Sequence, residues 1–274
     1  MSNTKPVAFI TGAAGGVGLA TAEKLDALGF ALWLTDREGS AIDTLASRFP
    51  SARITAADLA DTTQLETLCQ EIETSPGQLE VAFINAGIVV PGSVPETSRS
   101  TIAAHLNINL LAAALLDHAC AAKMKQQGSG HIVNTLSAAA MVALPGSAAY
   151  SASKFGLRGF TNGLAADLKP FGISVSGVYP NAIDTPMLRE EAASGGSVLN
   201  FLSEPVTADD VADAVIKSIA GKKLEYFVPR GDSLTMRCVA AAPRLMTWFY
   251  PLLEGKAIKG RDAYLRKYNL TPRA

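Results

Sequence analysis

Cysteine and histidine are scarce in this 274-residue chain, with three of each. Cys69, Cys120 and Cys238 are odd in number, far apart and free of any Cys-x-x-Cys pair, which argues against a disulfide framework or a thiolate metal site. His105, His118 and His131 have no zinc-type spacing and read as ordinary helix or strand residues. Charge is thin as well. Only 18% of residues are charged and the net charge is −1, so no general attraction to nucleic acid or anionic lipid is expected. The apolar stretch 110–122 is interrupted by Asp117 and His118 and reads as too short and too polar to span a membrane. The first residues lead straight into Val7-Ala8-Phe9-Ile10 with no signal-peptide core. No repeat, low-complexity tract or long linker is visible. A soluble cytoplasmic protein is the expectation.

What the chain has is apolar content, 48% of residues with a mean hydropathy of +0.20. That suits a large, well-filled core and buried subunit interfaces. Short β-rich runs at 7–10, 31–35, 52–55, 81–84, 131–135, 173–178 and 225–228 alternate with helical patterns at 17–28, 40–48, 62–73, 99–126, 149–169 and 207–220. Such alternation implies a parallel sheet with helices on both faces. Thr207 followed by Asp209 and Asp210 is a plausible helix start. Gly29, Gly128 and Gly172 stand where helices end. Residues 189–205, small and polar around Ser194-Gly195-Gly196-Ser197, read as a mobile loop.

Three features carry chemistry. The first strand runs into Thr11-Gly12-Ala13-Ala14-Gly15-Gly16-Val17-Gly18 and then a helix. Glycines there let a pyrophosphate approach the backbone and the helix N-terminus. The second strand ends at Asp36, whose carboxylate can accept from both adenosine ribose hydroxyls and would repel a 2′-phosphate. That favours NAD over NADP, with Arg37 as the counter-argument. Third, Tyr150 and Lys154 are four residues apart, hence on one helix face. An ammonium beside a phenol favours the phenolate, so Tyr150 can exchange a proton near neutral pH. Ser137 lies thirteen residues upstream in a strand-like context.

With these pieces assembled, residues 5–230 resemble the short-chain dehydrogenase/reductase family. Thr11-Gly12-x-x-x-Gly16-x-Gly18 is similar to the glycine motif of its shorter, single-domain branch, while Gly15 also satisfies the longer, epimerase-containing branch. Asn85-Ala86-Gly87 and the length point to the shorter one. The resemblance implies a Rossmann-type doubly wound, mainly seven-stranded α/β fold. It implies that Asp58 and Leu59 contact adenine and that Asn85, Ala86 and Gly87 pack along the cofactor. It implies that Asn109, with Asn107 as competitor, bends the long helix and holds water behind Lys154. It implies that Ser137 binds the substrate oxygen, and that Pro180, Ile183 and Thr185 flank or bind the nicotinamide carboxamide. Ser147, Ser151 and Ser153 have the wrong spacing for the catalytic serine. The family usually has glycine where this chain has Asn181, and asparagine tolerates positive φ. No metal is required.

On the substrate side, Met141, Val142, Leu144, Met187, Leu188, Val198, Leu199, Phe201 and Leu202 suggest a hydrophobic secondary alcohol or ketone. Arg189 reads as a solvated loop charge. Residues 1–230 form the catalytic domain. Residues 231–274 extend it with an apolar cluster of Leu245, Met246, Trp248, Phe249, Tyr250, Leu252 and Leu253 flanked by basic residues. The extension could pack on its own domain, on a partner subunit or peripherally on a membrane. A homodimer or homotetramer is expected through the two long helices. An NAD-dependent alcohol dehydrogenase or ketone reductase leads. A non-catalytic dinucleotide-binding relative ranks below it because tyrosine, lysine and serine are all present, and an epimerase or dehydratase because of the length and Asn85-Ala86-Gly87.

Overall fold

A computed structural model describes residues 5–241 and 243–271. Seven parallel strands form one sheet in the order β3-β2-β1-β4-β5-β6-β7. They are β1 (Val7–Thr11), β2 (Ala31–Asp36), β3 (Arg53–Ala56), β4 (Leu79–Ile84), β5 (Gly130–Thr135), β6 (Ile173–Pro180) and β7 (Glu225–Val228). The helices between them are α1 (Gly16–Ala27), α2 (Ser40–Arg48), α3 (Thr62–Thr74), α4 (Arg99–Leu106), α5 (Ala113–Gln127), α6 (Ala148–Leu168), α7 (Pro186–Ala193) and α8 (Ala208–Gly221). After β7 come α9 (Ser233–Ala241) and α10 (Pro243–Lys267).

Alternate strand residues feed two cores. Phe9, Trp33, Ala82 and Ile84 face α3, α5 and α6, while Ala8, Ile10, Leu34, Val81 and Phe83 face α1, α2 and α8. A parallel sheet covered on both faces needs this continuous apolar content. The chain steps outward from β1 to β2 and β3, then returns to place β4 on the other side of β1. The connections leaving the paired strands β1 and β4 therefore run to opposite sides of the sheet, and such a topological switch point opens a crevice at the carboxyl ends.

Helix α4 continues through a π-helical turn, Asn107–Ala112, into α5. The combined helix, Arg99–Gln127, has 29 residues and is long and apolar enough to cross a membrane by length and composition. This corrects the shorter span expected from 110–122. Its Ala112, Leu116, Cys120 and Met124 are nevertheless packed inside the core.

Residues 189–205 are not simply a loop. Thr185 caps α7, Pro186 occupies its first turn, and a 3-10 turn follows at Val198–Phe201. Helix α10 provides the reason. Its Tyr264 and Leu265 are buried against Leu188, Ala192, Ala193 and Phe201. Gly260 lets it approach closely, since a Cβ there would lie 2.2 Å from the Phe201 carbonyl oxygen. The side chains of Leu245, Met246, Trp248 and Phe249 lie outside the described residues. Leu252, from the same expected cluster, is 76% exposed.

Candidate active site

The glycine turn leaves no room for side chains. Gly12 has φ +61°, and a Cβ on it would sit 2.9 Å from Ala86 Cα. A Cβ on Gly18 would lie 2.2 Å from the Gly12 carbonyl oxygen. Gly15 starts α1 without a side-chain cap, Gly15 and Gly16 are exposed, and the first turn carries no acidic residue. The free N–H groups and the helix dipole there suit a phosphate. Val17 turns its side chain into the core, so only its backbone can serve a ligand. These residues fit the pyrophosphate of a dinucleotide.

Asp36, at the end of β2, does a second job that sequence reasoning missed. Its Oδ2 accepts from the Ala14 N–H at 2.9 Å and its Oδ1 from the Arg37 N–H at 2.8 Å. The carboxylate thus braces the glycine turn, and it retains lone pairs for ribose hydroxyls. Arg37 itself is exposed. Asp58 and Leu59 follow β3, with Asp58 Oδ1 accepting from the Ala60 N–H at 2.9 Å.

A polar network ties the carboxyl ends of three strands. Buried Thr11 accepts at Oγ1 from the N–H groups of Asn85 (2.9 Å) and Ala86 (3.0 Å). Asn85 Nδ2 donates to the Thr11 and Gly12 carbonyls, and its Oδ1 accepts from the Thr135 hydroxyl at 3.0 Å. The Thr135 carbonyl in turn accepts from Lys154 Nζ at 2.7 Å. Thr135 carried no sequence signal, because a backbone carbonyl is indifferent to residue type.

The Ser137 hydroxyl lies beside the Tyr150 phenol, close enough to act on its proton affinity. Lys154 is 4% exposed, with Nζ 6.0 Å from the Tyr150 ring centroid. The expectation of an ammonium holding the phenol low is not met in the chain by itself. The lysine reaches past the ring to Thr135. Burial pushes the Tyr150 phenol up to about 12, against the lowering effect of the neighbouring Ser137 hydroxyl, and the Glu191 charge adds to the rise. Burial pushes Lys154 down to about 8.

Asn109 is fully buried, whereas its competitor Asn107 is exposed. Asn109 Oδ1 accepts from the Ile88 N–H at 2.8 Å, and its Nδ2 donates to the Ile88 carbonyl and to Ser153 Oγ. Both amide hydrogens are thereby used, leaving only acceptor capacity for a water. A Cβ on Gly87 would stand 3.2 Å from Asn109 Oδ1 and 3.8 Å from Lys154 Nζ, so Gly87 permits this close approach. Ser153, read as an ordinary helix-start residue, is buried and donates to the Tyr150 carbonyl at 2.6 Å. His105 is also more than a bystander. It is buried, with its ring centroid 6.3 Å from that of Tyr150.

The segment after β6 folds back over the turn. A Cβ on Gly16 would lie 3.4 Å from Thr185 Cγ2. Ile183 pairs with Val206, and Thr185 Oγ1 donates to the Ile183 carbonyl at 3.2 Å. Pro180 ends β6, and the Asn181 N–H donates to the Val228 carbonyl at 2.9 Å. Asn181 is not among the positive-φ residues, so its tolerance of that region is not drawn on. Arg189 is no solvated charge, since it donates to Asp184 Oδ1 at 3.2 Å. Leu188 and Phe201 pack on α10 and serve a core, while Met187 is exposed. Glu191 adds a carboxyl whose charge acts on Tyr150. Its Oε1 accepts from Asn200 at 2.8 Å, and burial pushes it up to about 7 despite that bond.

A parallel sheet with a phosphate-binding turn at its switch point, and a Tyr–Ser–Lys cluster beside it, defines a dinucleotide-dependent oxidoreductase. The family model for short chain dehydrogenase matches residues 6–195, and the chain belongs to that family. It is 31% identical over 227 residues to 1-deoxy-11-beta-hydroxypentalenate dehydrogenase of Streptomyces exfoliatus, covering 80% of this chain and 82% of the relative. A short-chain dehydrogenase/reductase from Burkholderia phymatum solved with NAD superposes with TM-score 0.76 at 27% identity, covering 90% of this chain and 96% of that one. One from Sphingobium yanoikuyae solved with NADPH gives 0.74 at 28%, covering 88% and 95%. The chain is thus an oxidoreductase for CH–OH groups that uses a nicotinamide dinucleotide.

Proposed function

We propose that this protein interconverts a hydrophobic secondary alcohol and its ketone with NAD(H), using Tyr150 as acid and base. The carrying observation is the continuous set Thr11–Asn85–Thr135–Lys154, ending beside the Tyr150–Ser137 pair. When bound, the dinucleotide supplies hydride exchange at its nicotinamide. Gly12, Gly15, Gly16 and Gly18 would admit its pyrophosphate, Asp36 its adenosine ribose, Asp58 and Leu59 its adenine, and Ile183 and Thr185 its carboxamide. Asn85, Ala86 and Gly87 would line its path.

The chain's own groups handle position and protons. Ser137 Oγ orients the substrate oxygen and stabilises charge developing there. With its phenol at about 12, Tyr150 rests as an acid, ready to protonate a ketone oxygen as reduction proceeds. Acting as a base toward an alcohol, it needs positive charge brought near it, and Lys154 remains protonated at pH 7 to contribute. Asn109 and Ser153 hold the helix turn carrying Tyr150 against the Ile88 backbone.

Asp36 favours NAD over NADP, because its carboxylate repels a 2′-phosphate. Exposed Arg37 next to it favours NADP, and a carbonyl reductase using NADPH is the second reading. The apolar Met141 and Val142 after Ser137 support a hydrophobic substrate. The exposed Leu106, Leu111, Leu115 and Phe155 on the two long helices would be covered by a second copy of this chain. Calorimetric titration with NADH and NADPH, followed by a screen of hydrophobic alcohols, tests the reading. Binding of neither dinucleotide would refute it.

A further inference from the structure

Asp184 stands between Ile183 and Thr185 and is tied to three elements at once. Its backbone N–H donates to the Val206 carbonyl at 2.8 Å. Its carboxylate accepts from the Tyr264 hydroxyl at 2.7 Å, from the Tyr268 hydroxyl and from Arg189 at 3.2 Å, and Lys267 Nζ lies 3.7 Å away. The donors surround it in a stacked shell. The Arg189 guanidinium sits 4.0 Å from the Tyr268 ring centroid, and the rings of Tyr264 and Tyr268, like those of Phe201 and Tyr264, are 5.1 Å apart. Burial alone would raise this carboxyl, but the hydroxyls of Tyr268 and Tyr264 and the Arg189 guanidinium outweigh it and hold it below the usual range. A carboxylate with several good donors is strongly held.

The strand-end segment is held at Ile183 by its pairing with Val206, and the rest of its hold comes from α10. Helix α7 has eight residues, and its buried side chains pack chiefly on α10 and on the 3-10 turn that follows α7. The end of α10 and the residue just after it therefore fasten the covering segment through apolar contacts and, at its polar end, through the Asp184 carboxylate.

We infer that Asp184 is a positioning residue for the dinucleotide, and that Tyr264 and Tyr268 form a built-in brace which keeps Ile183, Thr185 and α7 seated over the cofactor site. This rests on the reading of Ile183 and Thr185 as nicotinamide-side contacts. The brace converts the C-terminal extension from a passive cover into part of the cofactor grip. Without it, only a fraction of molecules hold the segment ready for binding, and apparent affinity falls by that fraction.

The test uses the full chain carrying Tyr264→Phe together with Tyr268→Phe. Both rings and their packing are kept and only the two hydroxyl donors are lost. Asp184→Asn is made alongside, and the triple variant closes the cycle. Calorimetry with NADH and with NADPH gives affinity and stoichiometry, and limited proteolysis of the ligand-free protein reads cleavage within 189–205. The expected result is affinity weaker by roughly tenfold with stoichiometry unchanged, the size expected when a charged acceptor loses donors in a segment that must dock before binding. Cleavage in the segment should quicken, and the triple variant should be little worse than either parent, because all three changes break one unit. A purely structural role would instead lower stoichiometry and leave affinity intact, and that outcome overturns the inference. So does unchanged cleavage. If the wild type binds neither dinucleotide, the functional reading fails by itself, and the cleavage rates still decide whether the brace exists.

Discussion

Replacing Asp117 by asparagine should remove a pH dependence that the wild type carries. Asp117 lies on α5 with no exposed surface. Its Oδ2 accepts from Asn134 Nδ2 at 2.8 Å, and Asn134 Nδ2 also donates to Thr161 Oγ1 at 3.1 Å. Asp117 Oδ1 and Asn134 Oδ1 have no hydrogen-bond partner among the described residues. Burial pushes the carboxyl from 3.8 up to about 7, and the Asn134 bond offsets only part of that. The folded chain therefore holds this proton more tightly than the unfolded chain. The stability it contributes is fully present below about pH 4 and is lost as pH rises through 7. Between pH 5 and pH 8 the wild type should lose about 2–3 kcal/mol from this one group. Asparagine at 117 keeps the shape and cannot titrate. Urea unfolding of both proteins, followed by circular dichroism at pH 5, 6, 7 and 8, reads the difference directly. The gap between wild type and D117N should move against the wild type by that amount across the series. A gap that stays constant would refute the reasoning. The consequence reaches the site, because Asn134 precedes the Thr135 carbonyl that holds Lys154.

Tyr150→Phe should lower turnover by roughly 10²- to 10⁴-fold, the usual worth of a positioned acid–base group, while NADH still binds in calorimetry. Near-normal turnover would remove Tyr150 from the chemistry. Asp36→Ala should narrow the gap between NADH and NADPH in parallel titrations. It should also weaken both, because the Ala14 and Arg37 N–H groups lose their acceptor. A wild type that already prefers NADPH would contradict the argument. Gly18→Ala would drive a methyl to 2.2 Å from the Gly12 carbonyl oxygen, so dinucleotide binding should vanish and the melting temperature should fall. Unchanged binding would mean that the turn can open without loss.

Strands and helices between residues 7 and 228 were legible because each is a local pattern. Strand β7 was expected at 225–228 and lies there, and α2 matches its expected span of 40–48. The long helix was also expected, with a bend at Asn109, and the structure makes that irregularity a π-helical turn over Asn107–Ala112. The expected loop at 189–205 held only in part. Its first residues, 189–193, belong to a helix whose Leu188 and Ala192 are buried by Tyr264 and Leu265, more than sixty positions away, while Ser194-Gly195-Gly196-Ser197 stay outside any helix as expected. Within the site, Ser137, Tyr150, Lys154 and the glycines were visible from spacing. The Asn-Leu context favoured Asn109 over Asn107, and the structure buries Asn109 while leaving Asn107 exposed.

The order of strand, glycine turn and helix, and the one-turn spacing of Tyr150 from Lys154, were determined by sequence alone, because backbone conformation and helical period act over a few residues. Tertiary structure decided what those groups experience. It gave Lys154 a strand carbonyl as its partner instead of the phenol, raised Tyr150 to about 12, made Asp36 a support for the turn, and joined Asp184 to the end of the chain. Desolvation and long-range hydrogen bonds depend on what the fold brings near, and residues distant along the chain leave no local mark of where they will meet.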